Sequence, residues 1–591
     1  MSRARLTLLL VLAGLGIGLL VTAVPGVFII DEDSYIATVA GLRRGVLHVP
    51  GTEGLPPSPE VLAFDASPRS RPIASTPVVS SSPPLYAPLA LPFSYFGIRG
   101  LIALQVLSFV ACAWLVFACA ARIGSRPATP WLALATFVLA SATVEYAQAV
   151  WPHMLTAALA MAAVEATSRV RGGAPLWLAP LAGVAAGLAA GVRYQNLVLA
   201  VAIGVTLLWS ERSRRWRALV GFALGLALPL AASGAINHAR IGSWNPVSKG
   251  PSYLDLGTPR TASQLVTETL AAAYARVIDY REWPPHAPGR SEESTFIVKN
   301  PTTRAFLLGT AVKKAWLQSA PWLILPLLGL VVAWLRRAAF APATTRELRA
   351  FSLLVVAVVG MFAVFGFRRH DGWCFNQRYL LELMPILAVS WPLLLEDRSP
   401  RLAALLSGAG LAIILLVPVA GLDPRDTARQ DILLQAPLAI AAALAAVWLL
   451  WRAGRASGGL LGVCLGAALG WALAVHAFDD LRSSRALRGV HASQLDALSR
   501  LIPKEERAAL FTFWGNKDAF GPMTLDRDFV IADVWIDRGA SARVLSEALL
   551  GQGRSVYLLS RGMSSDTIKS LVKDRKVEPV PQVPYVVVLR P

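Results

Sequence analysis

Charge is scarce in this sequence. Of its 591 residues only 16% are Asp, Glu, Lys or Arg while 55% are hydrophobic, and the mean hydropathy is +0.53. An ordinary soluble enzyme, with about 25% charged residues, is excluded by that balance. Cysteine is scarcer still, and three of the four, Cys112, Cys119 and Cys464, lie inside apolar runs as small hydrophobes, with Cys374 alone outside them. Neither a disulfide framework nor a zinc site follows. Lysine supplies only nine of the 56 basic residues, so the cationic chemistry belongs to arginine, whose planar fork suits phosphates and carboxylates. The net charge of +19 does not point to nucleic acid, because the basic residues sit between apolar runs rather than in interleaved aromatic-basic patches. There is no P-loop or other glycine-rich nucleotide motif in the connectors.

What is abundant is apolar runs of about 20 residues, the length that crosses a bilayer. Thirteen are expected: Leu6–Ile30, Leu101–Ala121, Pro130–Tyr146, Ala149–Thr167, Ala174–Val192, Tyr194–Trp209, Ala218–Ile236, Ala315–Leu335, Ala350–Phe367, Tyr379–Leu395, Leu402–Gly421, Ile432–Trp451 and Ala456–Phe478. Arg3 and Arg5 precede the first, and every second connector repeats their sign: Arg122 and Arg126; Arg169 and Arg171; Arg212, Arg214, Arg215 and Arg217; Arg336, Arg337, Arg346 and Arg349; Arg398 and Arg401; Arg452 and Arg455. This alternation sets the N-terminus in the cytoplasm and, after an odd number of spans, everything past Phe478 outside. The first run could instead be a cleaved signal, but about 25 apolar residues exceed a usual signal core.

Three large pieces then face outward. Asp31–Gly100 holds eleven prolines between Pro50 and Pro92, which forbid a regular helix there. The second runs from Asn237 to Lys314 and includes Trp244, Tyr253, Trp283 and His286, aromatic and polar groups to which no role is assigned. From Asp479 to Pro591 the composition becomes that of a soluble protein, with strand patterns at Leu510–Phe513, Phe529–Ile536, Val556–Leu559 and Tyr585–Leu589. Helical patterns at Leu487–Ile502, Ala542–Leu550 and Ser564–Val572 complete a small α/β domain. The expected fold is thus an α-helical polytopic membrane protein, residues 1–478 with outer loops 31–100 and 237–314, followed by an α/β domain over 479–591.

Chemistry-bearing residues gather at the outer mouth. Asp31, Glu32 and Asp33 follow the first span; Asp33 or Ser34 suits a helix N-cap, whereas desolvation at the edge of a bilayer raises the basicity of Asp31 and Glu32 toward catalysis. Ser81 to Pro88, with Tyr86, reads as a rigid turn into the second span. Arg368, Arg369, His370 and Arg378 cluster where an outer loop should carry few cations, which suits an anion site as well as snorkelling to lipid phosphate. Arg193 poses the same question alone. Glu145 and His153 bracket a tight hairpin, where they could cap helices, line a pocket or bind a metal. Span centres nearly devoid of charge speak against an ion-coupled transporter and for an enzyme working at the interface.

Asp31-Glu32-x-x-Tyr35 after the first span, Pro83-Pro84-Leu85-Tyr86 closing a proline-rich loop, and Arg378-Tyr379-Leu380-Leu381-x-x-x-Pro385 opening a late span together resemble the GT-C glycosyltransferases. The group most similar is family 39, which includes protein O-mannosyltransferases and lipid A aminoarabinose transferases. The resemblance implies a polyprenyl-phosphate sugar as donor, a glycan, lipid or protein acceptor, a site at the extracytoplasmic face, and Asp31 as base with Glu32 beside it; the arginine-for-lysine bias and alanine richness fit a bacterial plasma membrane. Where the aminoarabinose transferases carry a phosphate-contacting Lys before Pro-Pro-Leu, this chain has Ser82, which shifts donor-phosphate contact toward Arg193, Arg368, Arg369 or Arg378. Tyr35, Tyr86, Glu145, His153 and His370 are further pocket candidates.

A phosphate leaving group needs charge stabilisation rather than protonation, so one base and several cations suffice, with inversion at the sugar. No cofactor is required, although magnesium or manganese could bridge carboxylates and phosphate. The competing expectation is a lipid-linked sugar flippase or polysaccharide exporter, which also wants outer arginines but needs a polar path through the spans.

Overall fold

The computed structural model describes residues 3–28, 30–56, 77–80, 82–246, 261–282, 297–308, 310–335, 340–365, 374–395, 400–512, 519–533, 540–560, 565–572, 577–579 and 586–590. Arg368, Arg369, His370, Tyr253, Trp283 and His286 lie outside them.

Helices dominate: α1 (Arg3–Thr22), α2 (Ile30–Arg43), α3 (Tyr86–Ser94), α4 (Gly97–Ile123), α5 (Thr129–Leu139), α6 (Thr143–Ala147), α7 (His153–Arg171), α8 (Leu178–Val192), α9 (Asn196–Thr206) and α10 (Arg215–Ile241). After these come α11 (Ala262–Val277), α12 (Trp316–Ser319), α13 (Ile324–Leu335), α14 (Pro342–Phe365), α15 (Met384–Leu393), α16 (Leu402–Ala420), α17 (Thr427–Arg452), α18 (Gly458–Val475) and α19 (Arg482–Leu501). Among the described residues, six stretches are helices long and apolar enough to cross a bilayer: Ala4–Thr22, Gly97–Ile123, Arg215–Ile241, Leu402–Ala420, Thr427–Arg452 and Gly458–Leu501. Shorter apolar helices lie at Thr129–Leu139, Leu178–Val192, Asn196–Trp209 and Pro321–Leu335. The chain is a multi-pass membrane protein. Each of the thirteen expected runs coincides with a helix or with a helix broken at a definite place.

The breaks have local causes. Pro130–Tyr146 is not one span, because Ser141 and Thr143 turn their hydroxyls onto the Phe137 carbonyl (2.6 and 2.9 Å) and end α5 early. Trp322 Nε1 then donates to the Ala140 carbonyl at 2.7 Å, so the freed backbone oxygen is satisfied inside protein. Tyr379–Leu395 begins as a 3-10 turn, Arg378–Leu383, before α15. The first expected span stops eight residues short, α2 is a separate helix beginning at Ile30, and α3 forms with Pro92 inside it where the prolines were expected to forbid a regular helix.

Two helix pairs approach through glycine. On α8, a Cβ at Gly183 would lie 2.0 Å from the Phe222 carbonyl of α10, and on α18 one at Gly466 would lie 2.0 Å from the Leu405 carbonyl of α16. Without water to drive association, such small-residue contacts are what hold membrane helices together. Gly466→Leu is therefore expected to force α16 and α18 apart at a cost of about 1–3 kcal/mol. A lower thermal midpoint in detergent, read by tryptophan fluorescence, checks it; an unchanged midpoint counts against this contact.

Two sheets are present among the described residues. β1 (Ile297–Lys299), β2 (Phe306–Leu308) and β3 (Ala311–Val312) form an antiparallel meander that the sequence pattern did not lead us to expect. β4 (Ala508–Thr512), β5 (Phe529–Asp533), β6 (Ser555–Leu559), β7 (Val577–Pro579) and β8 (Val586–Leu589) form one sheet in the order β5-β4-β6-β8-β7, with α20 (Ala540–Gly551) and α21 (Ser565–Val572). β4 runs parallel to β5 and β6, while β8 is antiparallel to β6 and β7. This sheet does not keep a closed core of its own: Ala37 of α2, Val49 and Leu55 pack into the same apolar cluster as Leu510, Phe511, Val530 and Leu558.

Candidate functional site

The first turn of α2 is the centre of the site. Asp31, Glu32 and Asp33 all lie in it, where the unpaired amides and the helix dipole favour negative charge. The N-cap expected at Asp33 or Ser34 is corrected here, since the helix has already begun at Ile30. The three acids point in different directions and meet different fates.

Asp31 is about one-third exposed, and its Oδ2 accepts from Arg378 Nη1 at 2.7 Å. Arg378 is nearly buried, with its guanidinium over the Trp151 ring at 5.3 Å and the Tyr379 ring at 5.0 Å. Its Nη2 also donates to the Tyr379 hydroxyl at 3.2 Å. Cation–π contact with two rings holds the charge in place without neutralising it. Two of the residues singled out from the sequence, 347 positions apart, are thus brought into direct contact.

Glu32 is fully buried and occupied on both oxygens. Val150 N donates to Oε1 at 2.7 Å, Phe28 N donates to Oε2, and Arg488 of α19 grips both oxygens at 3.1 and 3.2 Å. Arg488 further donates to the Gly26 carbonyl at 2.7 Å. Glu32 therefore joins the α1–α2 linker, the α6–α7 hairpin and α19, and both of its oxygens are taken up by these contacts. Asp33 is buried against Gly521, whose missing Cβ would sit 2.1 Å from its Oδ1.

Arg193 is not left to meet an anion alone. Its Nη1 reaches Glu382 Oε1 and His153 Nδ1 in a buried cluster, and Thr156 Oγ1 donates to the same Glu382 oxygen at 3.0 Å. Glu382 was missed in the sequence, although a carboxylate inside an otherwise apolar run was a usable signal. Glu145 is also buried; Asn376 Nδ2 donates to its Oε2 at 3.0 Å, and Tyr146 donates to Asn376 Oδ1 at 2.8 Å. Glu145 thereby steadies the segment that leads to Arg378. Tyr35 and Tyr86 meet edge-on at 4.8 Å, and Tyr86, fully buried, donates to the Val150 carbonyl at 3.0 Å.

Two further groups were not anticipated. Arg240, at the end of α10, donates to the carbonyls of Ser80 and Ser82, and Ser80 Oγ donates to the Ser34 carbonyl of α2 at 2.8 Å. A cation thus stands beside the loop position where a Lys was absent. The other group is a buried lock around Lys314, whose Nζ lies 2.7 Å from both Asp479 Oδ2 and Asp480 Oδ1. Arg429 pairs with Asp479 at 2.6 Å and His476 with Asp480 at 3.0 Å. Burial, the largest single influence, pulls the Lys314 ammonium downward, but the two carboxylates together outweigh it and raise its pKa above the usual lysine value.

No protein-family model matches the chain, and no curated protein matches it in sequence. Among solved structures it is similar to ArnT from Cupriavidus metallidurans bound to undecaprenyl phosphate, at 14% identity over 98% of this chain and 97% of that chain, with a TM-score of 0.49. It is also similar to the Archaeoglobus fulgidus oligosaccharyltransferase in the apo form, at 11% identity over 94% and 69% of the two chains, with a TM-score of 0.47. The arabinosyltransferase EmbB from Mycobacterium smegmatis matches at 16% identity over 88% and 43%, with a TM-score of 0.45. These are loose likenesses in sequence and in superposition alike.

Proposed function

We propose that this chain is a membrane glycosyltransferase that moves a sugar from a polyprenyl-phosphate donor to an acceptor hydroxyl at the extracytoplasmic face, with inversion. The observation that carries the reading is the Asp31–Arg378 pair: a partly exposed carboxylate 2.7 Å from an arginine held between two aromatic rings. An arriving phosphate competes for Arg378 and releases Asp31 to take the acceptor's proton as the hydroxyl attacks the anomeric carbon. The electron pair of the breaking bond leaves on the phosphate oxygen, where Arg378 stabilises it. Around Asp31, among the described residues, Glu32, Glu145 and Glu382 are buried and engaged with other protein groups, so one accessible carboxylate serves as base and none stands ready as a second nucleophile.

Orientation follows from the arginine-rich connectors. Arg122 and Arg169 pair with Glu165, and Arg171 pairs with Glu347, which ties the connectors after α4 and α7 and the start of α14 into one cluster. A face built this way belongs in the cytoplasm. The Asp31 site and the region 479–591 then lie outside, in a plasma membrane whose bacterial origin the arginine and alanine bias supports. Arg240, beside Ser80 and Ser82, supplies a second phosphate-side cation in this scheme.

The test uses the full chain in lipid nanodiscs with a panel of polyprenyl-phosphate pentoses and hexoses and candidate lipid, glycan and peptide acceptors. Release of polyprenyl phosphate is the readout, because it does not depend on which sugar moves. Arg378→Gln is expected to cut release by about 10²–10³-fold. Arg240→Gln should raise the donor KM by about tenfold, the loss of one charge-assisted hydrogen bond. Movement of intact donor across the membrane with no release would replace this reading by the flippase.

A further inference from the structure

Beyond the membrane, α18 continues through a π-helical turn, His476–Leu481, into α19, giving one helical rod from Gly458 to Leu501. Two successive points of this rod hold the two halves of the Asp31–Arg378 pair. At the first, Asp479 and Asp480 bind Lys314, whose backbone N–H donates to the Phe375 carbonyl at 2.9 Å and whose carbonyl accepts from Gln377 Nε2 at 3.1 Å. That places the strand of chain ending in Arg378. At the second, Arg488 binds Glu32, the residue next to Asp31.

We propose that Arg488 is a positioning residue for the transfer reaction, fixing through Glu32 the rotation of the first turn of α2 and so the place of Asp31 against Arg378. The inference rests on the glycosyl-transfer reading and adds to it a role for the region beyond Phe478, which is otherwise without one. Three features support it over a simple staple. Arg488 is 2% exposed and Glu32 0%, so neither charge has water to fall back on. Four donors converge on Glu32, two from Arg488 and two from the backbone amides of Phe28 and Val150, which come from separate parts of the chain. The turn so held also carries the partly exposed Asp31, and a helix turn cannot rotate at Glu32 without rotating at Asp31. The π turn sets the phase: removing its extra residue would rotate α19 by about 100° and carry Arg488 away from Glu32.

The experiment compares wild type, Arg488→Lys, Arg488→Met and the double variant Glu32→Gln/Arg488→Met in the full chain in nanodiscs. The double variant avoids leaving a buried charge unpaired and so remains folded if the single one does not. Amide exchange at Phe28 and Val150 is followed without substrate, and polyprenyl-phosphate release is followed with the donor active on wild type. Both Met-bearing proteins should lose at least 30-fold in kcat with the donor KM within threefold, since Arg240 and Arg378 are untouched. Exchange at the two amides should rise about tenfold, with Arg488→Lys intermediate in both measures. A folded double variant with kcat within twofold of wild type overturns the proposal. If wild type releases no polyprenyl phosphate from any donor, the transfer reading falls by itself; protection at Phe28 and Val150 that is unchanged in Arg488→Met then removes the positioning claim as well.

Discussion

Asp31→Asn is expected to abolish transfer while the protein is made, inserted and folded as before. The substitution is nearly isosteric and the side chain is about one-third exposed, so no cavity opens, and the buried Arg378 guanidinium exchanges its carboxylate partner for the neutral amide oxygen of the asparagine. Arg378 keeps the Tyr379 hydroxyl and its two ring contacts. What disappears is the group that accepts the proton from the acceptor hydroxyl, a loss of about 10²–10⁴-fold for a general base alone. Release of polyprenyl phosphate measured with saturating donor should therefore fall by that factor, with a thermal midpoint close to wild type. Turnover at the wild-type rate would falsify the assignment of Asp31 as base. Asp31→Glu is informative beside it, because one added methylene keeps the charge but shifts the oxygen by about 1 Å, a misplacement that costs up to about 10²-fold.

The largest effect on stability is expected from Lys314→Met. Lys314 is fully buried and lies 2.7 Å from each of two buried carboxylates. Without it Asp479 still has Arg429, but Asp480 is left with His476 alone. Removing one partner of a buried ion pair costs about 3–5 kcal/mol, most of it the desolvation of the charge left behind. The segment carrying Arg378 also loses its anchor, so activity should fall together with stability. A large drop in the fluorescence-detected unfolding midpoint checks this, and the double variant Lys314→Met/Asp480→Asn should recover part of it. Because the Lys314 pKa is raised on folding, its contribution is fully present below the unfolded lysine value of about 10.4 and is lost as pH rises through the folded one. Wild type should thus lose stability in strong alkali while Lys314→Met, already without the ammonium, loses none on this account. Parallel alkaline curves for the two proteins would contradict the lock.

Much of this architecture was legible in the residues. Thirteen apolar runs map onto helices, and the strands expected near Leu510, Phe529, Val556 and Tyr585 appear as β4, β5, β6 and β8 within a few residues. Where the two differ, a side chain had altered the local backbone. Ser141 and Thr143 compete for the Phe137 carbonyl and break one expected span; the N-cap expected at Asp33 or Ser34 is overtaken because α2 has already begun at Ile30, with both residues inside it. The meander β1–β3 escaped notice because its strands are only two or three residues long, too short to show alternation.

Local composition sets the solvent for each part of the chain. Apolar runs of bilayer length must leave water, arginine connectors must stay in it, and the strand and helix patterns after Phe478 must fold as an α/β region; each is a one-dimensional property of neighbouring residues. Which charges meet was decided only by the tertiary structure. Asp31 finds Arg378 across 347 residues and Glu32 finds Arg488 across 456, and Arg193 is claimed by Glu382 rather than left for a phosphate. The physical reason is that partition into lipid is additive along the chain, whereas charge pairing depends on how helices dock. That docking is set by contacts such as Gly466 against the Leu405 carbonyl, which no local pattern encodes.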